Sequence, residues 1–108
     1  MTVYTSPDGS LTRECYALDV RHQSLRVVNG SDDFARYGVV PQPVTVTIAG
    51  YPPRVIAPGR STIYAAPLRL GPGLHSVWLG PAPGCPLNGG AASACSGPNS
   101  PGGVIWAR

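Results

Sequence analysis

Proline and glycine recur so closely along this chain that a regular α-helix has almost nowhere to form. The 13 prolines and 14 glycines supply a quarter of the 108 residues. No window of a dozen residues keeps apolar residues at three- and four-residue spacing without meeting Pro, Gly or a β-branched run. Because 43% of the chain is still hydrophobic, this composition predicts many short strands joined by turns, rather than helices or disorder.

The clearest strand pattern is the alternating Val-Thr-Val-Thr-Ile segment at 44–48. Val44, Val46 and Ile48 are expected to face a core, and the two threonines to face water. Tyr16, Leu18 and Val20 are expected to point inward in the same way. Including 43–49, the strands are predicted at 11–20, 25–29, 53–57, 61–66, 74–79 and 104–107.

About seven short strands with turns near every ten residues predict an all-β fold, an antiparallel β-sandwich of immunoglobulin-like or jelly-roll type. The length fits one domain over residues 1–108. At 57–60, Pro58 and Gly59 suit the two central positions of a tight turn, which predicts an antiparallel connection there. Asn29 and Gly30 predict another turn, with positive φ, rather than a glycosylation site.

Residues 81–103 interrupt the alternation with a run rich in Gly, Pro, Ser and Ala. They predict a long loop, which is either a contact arm or a tolerated insertion. Cys85 and Cys95 bracket it, so a disulfide between them would close the loop, and three free thiols including Cys15 are the alternative.

No catalytic residue, cofactor or metal site is predicted. The cysteines and the histidines His22 and His75 include no pair at the spacing of structural zinc sites. No nucleophile elbow is present, and Gly71-Pro72-Gly73 lacks the spacing of a phosphate-binding loop.

The charges are unevenly distributed. All five acids precede residue 34, and five arginines but no acid follow. Every basic residue is Arg, which fits either interface use or a GC-rich genome. Nucleic-acid binding is not expected, because the arginines are scattered and form no basic stripe. No membrane span or export signal is recognised, so synthesis in a cytoplasm is expected.

The aromatic residues divide into two expected groups. Trp78 and Trp106 are predicted to pack in the sandwich core. Tyr37, Tyr51 and Tyr64 lie near predicted strand ends or edges, where they are candidate contact residues for a partner.

Several segments together resemble a known class of proteins. They are Leu25-Arg-Val-Val-Asn-Gly-Ser, Pro43-Val-Thr-Val-Thr-Ile, the stretch from Arg54 to Tyr64, Pro67-Leu68 and the terminal Gly103-Val-Ile-Trp-Ala-Arg. This pattern, covering roughly 25–80 and the last six residues, resembles small tailed-bacteriophage capsid decoration or cement proteins.

The resemblance implies a virion structural protein, made in the host cytoplasm, that binds the outer surface of an assembled capsid and stabilises it. Its partners would be the major capsid protein and neighbouring copies of itself. Arg54, Arg60 and Arg69 would then meet carboxylates on the shell. The alternative is a carbohydrate- or receptor-binding β-sandwich that uses exposed aromatic rings as stacking platforms, with Tyr37, Tyr51, Trp78 and Trp106 as candidates.

Overall fold

A computed structural model of the chain describes residues 1–5, 15–38, 41–81 and 100–108. It contains strands β1 (Thr2–Tyr4), β2 (Cys15–Leu18), β3 (Leu25–Val28), β4 (Val44–Ile48), β5 (Arg54–Ile56), β6 (Ser61–Tyr64), β7 (Gly73–Pro81) and β8 (Ser100–Ala107), with one 3-10 helix at Ser31–Tyr37. Within the described ranges, no helix has the length and apolar character needed to cross a membrane. Neither β1 nor the 3-10 helix is predicted by the alternation pattern.

The strands form two packed sheets, so the predicted all-β sandwich is confirmed. The smaller sheet has the order β1-β3-β6, and the larger has the order β2-β8-β7-β4-β5. Both sheets are mixed rather than wholly antiparallel, because β1 runs parallel to β3 and β2 runs parallel to β8. The order β8-β7-β4-β5 corresponds to that of an immunoglobulin variable-type sheet, which favours that alternative over a jelly roll.

The core follows from two-residue periodicity on the facing sides of the sheets. Its buried apolar residues are Val3, Leu25, Val27 and Tyr64 from the smaller sheet, and Tyr16, Leu18, Val46, Ile48, Ile56, Val77, Leu79, Ile105 and Ala107 from the larger, with Val20, Leu68 and Leu70 between strands. The inward positions predicted in the segments 11–20 and 43–49 are therefore confirmed, with Val44 half-buried against this core.

The turn at 57–60 has its predicted geometry but a different role. Gly59 has φ of +73°, and the Arg60 amide donates to the Ala57 carbonyl at 3.0 Å. The predicted antiparallel pairing across this turn is wrong, because β5 pairs with β4 whereas β6 pairs with β3. The turn therefore carries the chain from one sheet to the other.

Asn29 is a buried hydrogen-bonding residue, not a turn residue with positive φ as predicted. Its side-chain amide donates to the carbonyls of Gln42 at 2.6 Å and Ile56 at 2.9 Å, and its Oδ1 accepts from the Ser31 amide at 3.1 Å. No described non-glycine residue has positive φ, and Gly30 does not have it either. The polar atoms of Asn29 therefore tie the end of β3 to the start of β4 and the end of β5.

The predicted loop at 81–103 is shortened at both ends by strand pairing. Pro81 belongs to β7 and residues 100–103 belong to β8. Residues 82–99, with the predicted contact arm and the Cys85–Cys95 disulfide, lie outside the described residues. Cys15 is an exposed free thiol on β2.

Candidate functional site

Both tryptophans are exposed, which corrects the prediction that they pack in the core. Trp78 is 43% exposed and Trp106 is 52% exposed. Their strand neighbours Val77 and Ile105 are buried instead, and alternation places each tryptophan on the opposite side of the sheet. The sequence does not decide which face of these strands is buried, because β7 and β8 carry large apolar residues on both faces.

The outer side of the five-stranded sheet is an apolar surface, which we call the tryptophan face. It is formed by the outward-facing residues of the larger sheet, namely Cys15, Ala17, Thr45, Thr47, Val55, Leu74, Ser76, Trp78, Gly80, Val104 and Trp106. None of these side chains is charged. Leu74, at 70% exposure, is paired with Trp106 across β7 and β8, and the sequence analysis missed it.

The register sets the spacing of the two indole rings. Trp106 is opposite Leu74, four residues before Trp78 on β7, so the two tryptophans lie about 13 Å apart along the strand direction. Thr47 is paired with Trp78 on the β4 side. The face therefore offers two aromatic platforms with apolar and hydroxyl side chains around them, and its described positions carry no charge that would fix a charged ligand.

A second feature lies where β5 meets β6, and we call it the arginine–tyrosine edge: Tyr51, Arg54, Tyr64 and Arg69. The Arg54 guanidinium carbon lies 4.0 Å from the centroid of the Tyr64 ring and 5.9 Å from that of Tyr51. Arg69 lies 5.0 Å from the Tyr51 centroid, and the two tyrosine rings meet edge to face at 5.0 Å. The structure thus brings together four of the six predicted contact residues.

Arg54 connects the two sheets. Its Nη1 donates to Thr62 Oγ1 at 2.9 Å and to the Ile63 carbonyl at 2.8 Å, both on β6. Arg54 lies on the edge strand β5 and is half-buried, so part of its side chain is held within the fold.

Tyr64 is completely buried, which rules it out as a surface contact in this fold and corrects that prediction. Its hydroxyl has no hydrogen-bond partner among the described residues. Burial raises the pKa of the Tyr64 hydroxyl above its ordinary value of 10.0, against an opposing effect of the Arg54 charge.

Tyr37 and Arg60 are not part of this edge. Tyr37 ends the 3-10 helix, is 68% exposed and has the Arg36 guanidinium 4.8 Å from its ring centroid. Arg60 is exposed in the turn between β5 and β6. A Cβ built on Gly59 in that turn would lie 2.6 Å from Asp32 Oδ2, so an acid from the first third of the sequence folds back beside the acid-free part.

Comparisons with family models, curated proteins and solved structures found no match.

The titratable groups of the described residues form few contacts with one another. In the described segments, His22 and Asp19 form the one ion pair, with 2.9 Å between Nδ1 and Oδ2, and both side chains are exposed. The His22 hydrogen bond lowers the pKa of the Asp19 carboxyl. No group of three or more His, Cys, Asp or Glu there is placed to hold a metal ion. The tryptophan face and the arginine–tyrosine edge are therefore the two candidate binding surfaces of the described residues.

Proposed function

We propose that the protein is a non-catalytic binding module that docks on another protein through the tryptophan face. The observation that carries this proposal is the exposure of Trp78 and Trp106 on a face whose described side chains are all uncharged. The outer face of a sandwich in water is ordinarily polar. The centres of protein interfaces are instead depleted of charge and enriched in Trp.

The target that we propose is the outer surface of an assembled tailed-phage capsid, with the protein acting as a decoration or cement protein of the virion. This part of the proposal is supported by the sequence resemblance. The docking surface on the capsid protein would have to be apolar and uncharged where it meets the tryptophan face, because a charge buried there would find no partner on the described side chains.

The size of the face supports binding to a lattice rather than to a single subunit. The five strands span about 19 Å across the sheet, and residues 74–80 span about 20 Å along a strand. The tryptophan face therefore has an area of roughly 400 Å². A standard interface buries about 800 Å² on each partner. Further contacts, to a second capsid subunit or to a neighbouring copy, would supply the remainder, and repetition over the shell strengthens each one.

Co-sedimentation tests this proposal. The protein is expected to pellet with undecorated shells and to leave isolated capsid subunits unbound. Trp78→Ala and Trp106→Ala are each expected to weaken shell binding about 30-fold, which is the ~2 kcal/mol of an interface hot spot. About half of each side chain is covered, so each replacement is also expected to lower the midpoint of thermal unfolding, and shell binding is therefore compared at a temperature where circular dichroism shows both variants to be folded.

Tyr4→Ala is the matched control, since Tyr4 is an aromatic residue of similar exposure, 47%, on the smaller sheet. This variant should bind shells like the parent. Full shell binding by both tryptophan variants would overturn the assignment of the face, and binding of isolated subunits as tight as that of shells would overturn the lattice argument.

Carbohydrate binding is a second candidate, favoured specifically by the exposure of both tryptophans. Two tryptophans about 13 Å apart along the strand direction are suitable for stacking on two non-adjacent sugars of a linear polysaccharide, with the hydroxyls of Thr47 and Ser76 nearby. Saturable quenching of tryptophan fluorescence by a neutral polysaccharide, lost in Trp78→Ala, would support this candidate. Shell binding that a saturating concentration of the same polysaccharide leaves unchanged would favour the protein-docking function.

A further inference from the structure

The arginine–tyrosine edge holds two guanidinium groups at one tyrosine ring. Arg54 and Arg69 lie 5.9 Å and 5.0 Å from the Tyr51 centroid. Neither forms an ion pair with a carboxylate of the described chain, where His22 and Asp19 form the one ion pair. Two positive charges thus lie within about 6 Å of one ring centroid, and neither is paired with a carboxylate of the described residues.

The two arginines are held to different degrees: hydrogen bonds fix the Arg54 guanidinium, whereas the Arg69 guanidinium contacts only the Tyr51 ring among the described residues. Arg54 is fixed through Nη1 to β6 and by the Tyr64 ring beneath it, and its other nitrogens make no hydrogen bond to the described residues. The Tyr51 hydroxyl accepts from the Arg69 backbone amide at 2.9 Å, which fixes the ring on which the Arg69 guanidinium rests. A preorganised donor such as Arg54 loses little entropy when a ligand binds.

We propose that Arg54 and Arg69, together with Tyr51, form a binding site for carboxylate groups of an acidic segment of a partner protein. Guanidinium groups match carboxylates with paired hydrogen bonds. A nucleic-acid partner is disfavoured because the arginines form no continuous basic stripe for a phosphate backbone.

This site is separate from the tryptophan face. Arg54 alternates with Val55 along β5, and it is Val55 that belongs to the outer face. The inference goes beyond the proposed docking function by naming the chemistry of a second contact. Binding of a short acidic peptide does not require a capsid, so the inference and the docking function can fail independently.

The test is a titration of the full chain with N-acetylated tetraglutamate. NMR signals of the arginine Nε–H groups and of the Arg69 backbone amide are recorded at each peptide concentration. Saturable shifts are expected at Arg54 and Arg69, with affinity that falls as salt is added. Arg69→Gln is expected to weaken binding at least tenfold. Arg69→Lys keeps the charge but loses the paired donors, and it should recover only part of the affinity.

Arg36→Gln is the matched control, because Arg36 also rests on a tyrosine ring but as a single guanidinium. This variant should bind the peptide like the parent. The proposal is overturned if Arg36→Gln weakens binding as much as Arg69→Gln does, or if the shifts spread equally over all arginines. Tighter binding of inorganic phosphate or of a short oligonucleotide than of the peptide would also overturn it.

Discussion

The removal of Arg54 should destabilise the sandwich far more than a surface charge normally would. Arg54→Ala deletes two charge-assisted hydrogen bonds to β6, at 2.9 Å and 2.8 Å, and the contact with the Tyr64 ring at 4.0 Å. Hydrogen bonds to a charged group contribute about 1.5 kcal/mol or more each, and a cation–π contact contributes ~0.5–1 kcal/mol. Water can replace part of this at a half-buried site, so we expect a loss of about 2–3 kcal/mol.

For a domain of this size, that loss lowers the midpoint of thermal unfolding by about 10 °C. The assay is urea unfolding and thermal unfolding followed by circular dichroism. Arg54→Lys should recover about half of the loss, since an ammonium can keep a hydrogen bond to β6 but cannot stack flat on the ring. Arg69→Gln removes a guanidinium that has no hydrogen bond to the described chain and contacts only the Tyr51 ring, so it should cost no more than ~1 kcal/mol.

A double-mutant cycle with Thr62→Val isolates one of the two hydrogen bonds. We expect a coupling free energy of about 1 kcal/mol between Arg54 and Thr62. If the free energy of unfolding of Arg54→Ala lies within ~0.5 kcal/mol of that of the parent protein, Arg54 does not hold the sheets together, and the reasoning is refuted.

Three further predictions concern buried or strained positions. Asn29→Ala should cost at least ~3 kcal/mol in urea unfolding, because the carbonyls of Gln42 and Ile56 lose their donor and a cavity is left. Gly59→Ala should destabilise the protein by ~1–2 kcal/mol, since the φ of Gly59 is +73° and the added Cβ would meet Asp32. Adding Asp32→Ala to this variant should remove the clash but leave the backbone strain. Tyr64→Phe should be neutral or stabilising at pH 7 because it removes a hydroxyl without a described partner. Since the pKa of Tyr64 is raised in the folded state, the parent should lose stability as pH rises above about 10, and a parallel pH series should show a smaller alkaline loss for Tyr64→Phe.

Alternation of apolar and polar residues within a strand predicts the class of fold well. When one face of a strand is polar, the residues of that strand alone show that the other face is buried. In β4, threonines separate the inward residues Val46 and Ile48, and the prediction holds. In β7, Leu74 and Trp78 lie on one face and Val77 and Leu79 on the other. Hydrophobicity alone cannot decide which of those faces is buried, so the tryptophans were placed on the wrong side.

Pairing partners and clusters depend on the tertiary fold, and the sequence carries little signal for them. The turn at 57–60 is recognisable from Pro58 and Gly59, but nothing local shows that β5 and β6 belong to different sheets. The same holds for the arginine–tyrosine edge: Tyr51, Arg54 and Arg69 are candidates one by one, and only the crossing of the chain between sheets brings them together. The sequence places Tyr64 near a strand end but does not show that this end of β6 points into the core.

The parallel pairing of β2 with β8 has a consequence for how the chain folds. Cys15–Leu18 lies beside Val104–Ala107, so the two strands are separated by about 90 residues of sequence, and contacts of such long range slow folding. On the ribosome, β2 has to wait until β8 has emerged before its ladder can form. During that wait β2 exposes Tyr16 and Leu18, the apolar residues that β8 will help to cover. The risk of aggregation therefore lasts until β8 is available for pairing, and we expect a slow folding phase in which β2 docks last.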